Sequence, residues 1–232
     1  MLYASAELDS LARAHNYYSW ILDRWRPYIG GTVLELGAGL GTFSARLVEE
    51  CIDRLVLVEP ATDLIPRLRE RFRGCATIDV RHGMLEDFHD EFMDRIDTIV
   101  AVNVLEHILD DRGTLQAASK MLTAKGRLLL FVPAFNFLWG PMDTTFGHCR
   151  RYTKGGLAQL IGECGLDIVD IRYMNLLGSF SWFFANHILR QRTLNPRMVA
   201  AADRTLIPLS ARLERLVAPP WGQSLMAIAT KS

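Results

Sequence analysis

The chain has no excess charge of either sign: Lys plus Arg and Asp plus Glu each number 26 in 232 residues. A global field able to hold nucleic acid is therefore missing, and only a local basic groove would remain open to it. The four cysteines, Cys51, Cys75, Cys149 and Cys164, form no CxxC pair and no metal-ligand rhythm, so no metal is expected and a reducing, cytoplasmic compartment is. No uninterrupted apolar run reaches transmembrane length. The first ten residues, MLYASAELDS, carry acids and no basic leader, so an export signal is not expected. Half of the residues are hydrophobic, enough at this length for one substantial core and one domain with an elaboration.

What is present is organised around residues 33–42, VLELGAGLGT, an apolar run ending in glycines at every second position, Gly37, Gly39 and Gly41. Val33 to Leu36 reads as a short buried strand, and FSARLVEE after the glycines has the spacing of an amphipathic helix. A glycine turn between the two accepts positive φ and lets a ligand lie against backbone amides at the helix N-terminus. A dinucleotide fingerprint would place glycine or alanine where Thr42 stands, so a nicotinamide-dependent oxidoreductase fits less well. Further strands are expected at Arg54 to Glu59, Ala76 to Arg81, Ile96 to Asn103, Arg127 to Val132, Asp167 to Tyr173 and Gln223 to Thr230. Helices are expected between the first of these, with Thr123-Ala124-Lys125-Gly126 ending the helix that precedes the fifth strand. That alternation argues for a parallel α/β sheet covered on both faces, with ligands at the C-terminal strand ends. The glycine turn, Glu59, Met84 and Asn103 all fall on that edge.

The pattern Glu35-x-Gly37-x-Gly39-x-Gly41, together with Glu59 closing the second strand and Asn103-Val104 closing the fourth, resembles class I S-adenosylmethionine-dependent methyltransferases. The resemblance implies a Rossmann-like, doubly wound, seven-stranded sheet whose last strand is antiparallel. It implies that S-adenosylmethionine lies against Glu35, Gly37, Ala38, Gly39 and Gly41, with Glu59 and Pro60 at the ribose and Asn103 and Val104 at the amino acid end. The family often has an acid where Met84 stands, which leaves adenine recognition to the backbone near Met84 and Leu85, or to Glu86. Residues 1–30 form a helical cap in this reading, with one helix over 4–25 whose Tyr17 closes over the ligand.

The long loop after the fifth strand, from Trp139 and Gly140 through Asp143 to Gly147-His148-x-Arg150-Arg151-Tyr152, looks like that of a bacterial subgroup often associated with surface-glycan or secondary biosynthesis. Such loops are disproportionately functional. His148 is the candidate general base, against the plainer role of bonding the loop to itself. Trp139, Arg150, Arg151, Tyr152 and His107 are the candidate contacts to a small-molecule or sugar-containing acceptor. Either arginine could instead pair with Glu106 or Asp143 and hold the loop down. Oxygen methylation is favoured; nitrogen methylation is the nearest alternative, because no NPPY-like or other acceptor-specific motif follows the fourth strand, and a non-catalytic cofactor-binding protein is the third reading. Residues 174–222 read as a helical insertion between strands six and seven, with Leu206, Leu209, Leu213 and Leu216 turned inward. Its expected fate is a lid or a homodimer surface, ahead of peripheral membrane or lipid-linked substrate contact.

Overall fold

The computed structural model describes Leu8 and residues 10–231. One sheet of seven strands organises them, in the order β3-β2-β1-β4-β5-β7-β6. The strands are β1 (Thr32–Leu36), β2 (Arg54–Glu59), β3 (Ile78–His82), β4 (Ile96–Val102), β5 (Leu122–Pro133), β6 (Leu166–Met174) and β7 (Ser224–Lys231). The first five pair in parallel, while β7 inserts antiparallel between β5 and β6. Strands β1, β2 and β4 are buried on both faces, which is why they read as unbroken apolar runs rather than alternations. The chain winds outward from β1 in both directions, so the C-terminal ends of β1 and β4 diverge and leave a crevice between them.

The helices are α1 (His15–Trp25), α2 (Ser44–Leu47), α3 (Ile65–Arg71), α4 (Asp111–Met121), α5 (Pro141–Thr145), α6 (Lys154–Glu163), α7 (Leu176–Phe183) and α8 (Pro196–Leu216). The single helix expected over 4–25 is broken: residues 12–14 are non-helical and α1 starts at His15, while residues 4–7 and 9 lie outside the described part. The stretch 123–126, expected to end a helix, already belongs to β5, whose ladder with β4 begins at Ile96 and Leu122 and shifts register before Thr98.

The insertion is helical as expected, but its longest helix is turned the other way. Helix α8 buries Asp203, Ile207, Ser210 and Glu214, while Leu209, Leu213 and Leu216 are 47%, 48% and 83% exposed. The reason is polar. Asp203 accepts hydrogen bonds from the backbone N–H groups of Asn16 and Tyr17 at the start of α1, at 3.0 and 2.9 Å. Glu214 accepts from the N–H groups of Asn175 and Leu176 at the start of α7, at 3.3 and 2.9 Å. The open ends of two helices need acceptors, and α8 supplies them across space. Replacing Ile207 by Ala is expected to cost about 2–4 kcal/mol, whereas Leu213→Ser should change stability by no more than about 0.5 kcal/mol. Urea denaturation of the two variants checks this, and the opposite ranking would restore the leucines to the core.

Candidate active site

The crevice between the ends of β1 and β4 is a cleft of about 300 Å³. Its floor is the turn after β1. Gly37 takes φ +68°, its N–H donates to the Val58 carbonyl at 2.8 Å, and a Cβ there would stand 2.6 Å from Val104 Cγ2. Only glycine lets the end of β4 come this close. At Gly39, with φ +56°, the nearest atom to an added Cβ is Leu8 Cδ2 at 3.7 Å, so the backbone there faces open space. Opposite, Asn103 leaves β4 at φ +52°, a left-handed conformation that asparagine tolerates better than most residues. Glu35, Gly37, Ala38, Gly39, Glu59, Asn103, Val104 and Tyr17 all line the cleft, as do His107, His148 and Arg151.

Four buried carboxylates line it, Glu35, Glu59, Glu106 and Asp203, and the first two stand at the glycine turn. Glu59 accepts from the Gly39 N–H at 2.8 Å through Oε2 and from the Ala61 N–H at 2.9 Å through Oε1, so strand β2 ends clamped to the glycine turn. Burial raises its pKa, and these two bonds oppose the rise. Glu35 is pushed up to about 8, mainly by burial with the Glu59 charge adding, against the Ser44 hydroxyl and Arg71. Its Oε2 is buried with no hydrogen-bond partner among the described residues.

The other wall is the loop after β5. Asp143, 0% exposed, accepts from the Gly140 N–H at 2.9 Å and from Arg151 Nε at 2.7 Å, and lies 2.8 Å from His148 Nδ1. Burial works against its charge, but the His148 bond and the Arg151 charge outweigh it and hold the carboxyl below the usual range. An ionised Asp143 fixes the proton of His148 on Nδ1 and leaves Nε2 as the acceptor. Arg151 also donates to the Ala134 carbonyl at 3.0 Å and lies 5.3 Å from the ring centre of Trp182 on α7. The His107 ring sits edge-on to His148 at 4.8 Å. Burial and the neighbouring His148 push its pKa down to about 4, so it is neutral at pH 7. Donor atoms of Glu106, His107 and His148 lie within 4.8 Å of one another, a two-imidazole, one-carboxylate set whose chemistry also suits a divalent transition metal.

Residues 12–171 match the family model described as a methyltransferase domain, more than half of the chain. The chain belongs to the S-adenosylmethionine-dependent methyltransferases. It is 24% identical over 157 residues to histamine N-methyltransferase B of Xenopus laevis, covering 57% of this chain and 54% of that protein. It is 30% identical over 106 residues to a ubiquinone biosynthesis O-methyltransferase of Xanthomonas oryzae pv. oryzae, covering 44% and 42%. The chain thus spans about half the length of the curated relatives it matches. Among solved structures, a methyltransferase from Archaeoglobus fulgidus superposes with a TM-score of 0.61 at 15% identity, covering 94% of each chain, which shows the shared fold. The family match sets aside the nicotinamide reading.

Several residues expected at the methyltransferase site do not line the cleft. Gly41 is spent inside the turn, where a Cβ would strike Phe72 at 2.7 Å. Pro60 stands behind Glu59, with its carbonyl 3.3 Å from His82 Nε2. Leu85 is 1% exposed in the core, and the Met84 N–H is taken by Asp87 at 2.8 Å. Trp139 packs behind His148, its ring 6.5 Å from the imidazole. Arg150 pairs with Asp111 at 2.6 Å and donates to the Leu109 carbonyl at 2.7 Å, while the Tyr152 hydroxyl donates to Asp111 at 2.8 Å. These two hold the loop against the start of α4. Arg151 takes the loop-holding role through Asp143 while still bordering the cleft. Sequence reasoning missed Trp182 and Phe146, and it treated Glu106 only as a partner for an arginine; all three line the cleft. No local motif marks them, because they arrive from separate segments.

The raised pKa of Glu35 makes a stability prediction for the protein without ligand. A carboxyl at about 8 in the fold and 4.5 in the unfolded chain binds its proton more tightly when folded. The stability this gives is complete below about pH 4.5 and is lost as pH rises through 8. Urea melts should therefore show wild type losing stability relative to Glu35→Gln across that window, and a pH-independent difference would refute the assignment.

Proposed function

We propose that this methyltransferase moves the methyl group of S-adenosylmethionine to a hydroxyl of a small-molecule or sugar-containing acceptor, with His148 as general base. The observation that carries the reading is the His148–Asp143 pair, held in the same cleft as the glycine turn and Glu59. The residues fit the cofactor. Glu35 Oε2, buried and without a protein donor among the described residues, suits the ammonium of the methionine end. Each Glu59 oxygen has one backbone donor and keeps acceptor capacity for a ribose hydroxyl. The open face of Gly39 admits a ligand against the backbone, and Tyr17 and Asn103 stand at the opposite wall. When bound, the cofactor supplies an electrophilic methyl carried on a sulfonium.

The chain's own part is alignment and proton removal. Asp143 holds the imidazole through Nδ1, so Nε2 can take the acceptor's hydroxyl proton as the oxygen becomes nucleophilic. His107, neutral beside it, adds no charge that would oppose the forming imidazolium. Arg151 anchors Asp143 and the loop rather than the acceptor. The exposed free thiols Cys51, Cys75 and Cys149 support a reducing, cytoplasmic setting. Nitrogen methylation is the second reading, supported by the similarity to a histamine N-methyltransferase. An amine acceptor that binds neutral would need no base.

S-adenosylhomocysteine is expected to raise the melting temperature while NADH leaves it unchanged, and Glu59→Ala should abolish most of the rise. An unaltered rise in that variant would remove Glu59 from the cofactor site. With an acceptor found by a labelled-methyl screen, His148→Ala should lower kcat by about 10²–10⁴-fold with cofactor affinity kept. Full activity would point to a nitrogen acceptor. Loss of turnover on chelation, restored by a divalent ion, would instead assign the Glu106, His107 and His148 set to a metal.

A further inference from the structure

The insertion between β6 and β7 carries a surface that the cofactor site does not use. On α7 and the turn that continues it, Phe180, Phe184 and Ile188 are 58%, 53% and 60% exposed. On α8, Met198, Ala202, Leu206, Leu209, Leu213 and Leu216 recur at steps of three and four residues and so form one stripe. The first three line the cleft, and the last three run out onto the surface. An apolar track therefore begins inside the active-site cleft and ends in solvent. Exposed apolar surface of this extent marks an interaction site.

Charge identifies the partner. Residues 174–222 contain six arginines, Arg190, Arg192, Arg197, Arg204, Arg212 and Arg215, and only two acids, Asp203 and Glu214. All six arginines are exposed, and among the described residues none makes an ion pair. Both acids are buried, at 4% and 8%, and are consumed by backbone N–H groups of α1 and α7. The outer face of the insertion is thus apolar and purely cationic, although the whole chain is balanced at 26 and 26. A second copy is a poor occupant, because a two-fold contact would set arginines against arginines with no acid between them. Aromatic and leucine side chains amid arginines, whose stems cover apolar surface while the heads reach phosphate, are what an anionic bilayer surface accepts.

We propose that the face formed by α7 and α8 docks on anionic phospholipid bilayers and places the mouth of the cleft at the membrane surface, so that an amphiphilic acceptor enters along the leucine stripe. The docking stands independently of the acceptor atom that is methylated. Among the described residues no helix is long and apolar enough to cross a membrane, so contact is peripheral.

Co-sedimentation of the whole chain with phosphatidylcholine vesicles, with and without phosphatidylglycerol, tests this directly. Binding should be at least roughly tenfold tighter to the anionic vesicles and weaken with salt. A Leu209→Ser/Leu213→Ser double variant, whose sites are exposed, should keep its S-adenosylhomocysteine thermal shift and lose about tenfold or more in vesicle affinity. An Arg204→Gln/Arg212→Gln/Arg215→Gln variant should lose the preference for anionic lipid. No binding to anionic vesicles overturns the proposal. So does light scattering that shows a dimer which the double leucine variant dissociates while vesicle binding is absent, since the face would then belong to a second copy.

Discussion

A fully buried negative charge at Asp143 imposes the arrangement of everything around the cleft. Taking a carboxylate out of water is costly unless each oxygen is bonded and a positive group stands close. Here the Gly140 amide, the Arg151 guanidinium and the His148 imidazole meet that demand together. Arg151 in turn reaches the Ala134 carbonyl beyond β5 and the Trp182 ring of α7. One charge therefore ties the sheet edge, the loop and the insertion to one another, and the same bond that satisfies it fixes the tautomer of His148. Structural necessity and chemical orientation are two effects of a single contact.

On the far side of the cleft Glu59 plays the matching part. Its two oxygens take amides from the glycine turn and from the start of the following segment, so the ends of β1 and β2 cannot drift apart. The close approach of Val104 to Gly37 joins β4 to the same point. Three strand ends are thereby fixed around one hollow by contacts within the chain itself, the kind of rigid framing that positioning chemistry requires.

Much of this was legible beforehand because buried parallel strands announce themselves as apolar runs stopped by glycine, proline or an acid. Every strand lies within a few residues of its expected span except β5, which begins at Leu122 rather than Arg127, and of the residues singled out by spacing Gly37, Gly39 and Glu59 line one cleft. The failures have a common physical cause. Leu209, Leu213 and Leu216 suggest an inner face, yet the inside of α8 is claimed by Asp203, Ser210 and Glu214, because distant helix ends need acceptors there. Of the neighbouring Arg150 and Arg151, the second takes Asp143, a pairing that the sequence leaves open, while the first takes Asp111, a partner that the sequence reading does not name. Partners far along the chain decide such cases, and hydrophobic periodicity carries no trace of them.

The insertion departs from and returns to one rung of the sheet. Met174 and Ser224 are register partners on β6 and β7, and just beyond them Asn175 and Gln223 close a clasp through side-chain and backbone bonds at 2.8 and 3.1 Å. Residues 175–223 thus form an excursion with a single narrow neck, built outside the ladder. The seven-stranded ladder closes without it, so the excursion is held over the cleft by its own ties, Asp203 to the start of α1, Asn186 to the Met142 N–H and Trp182 to Arg151, and whatever loosens those ties opens the hollow without moving a strand.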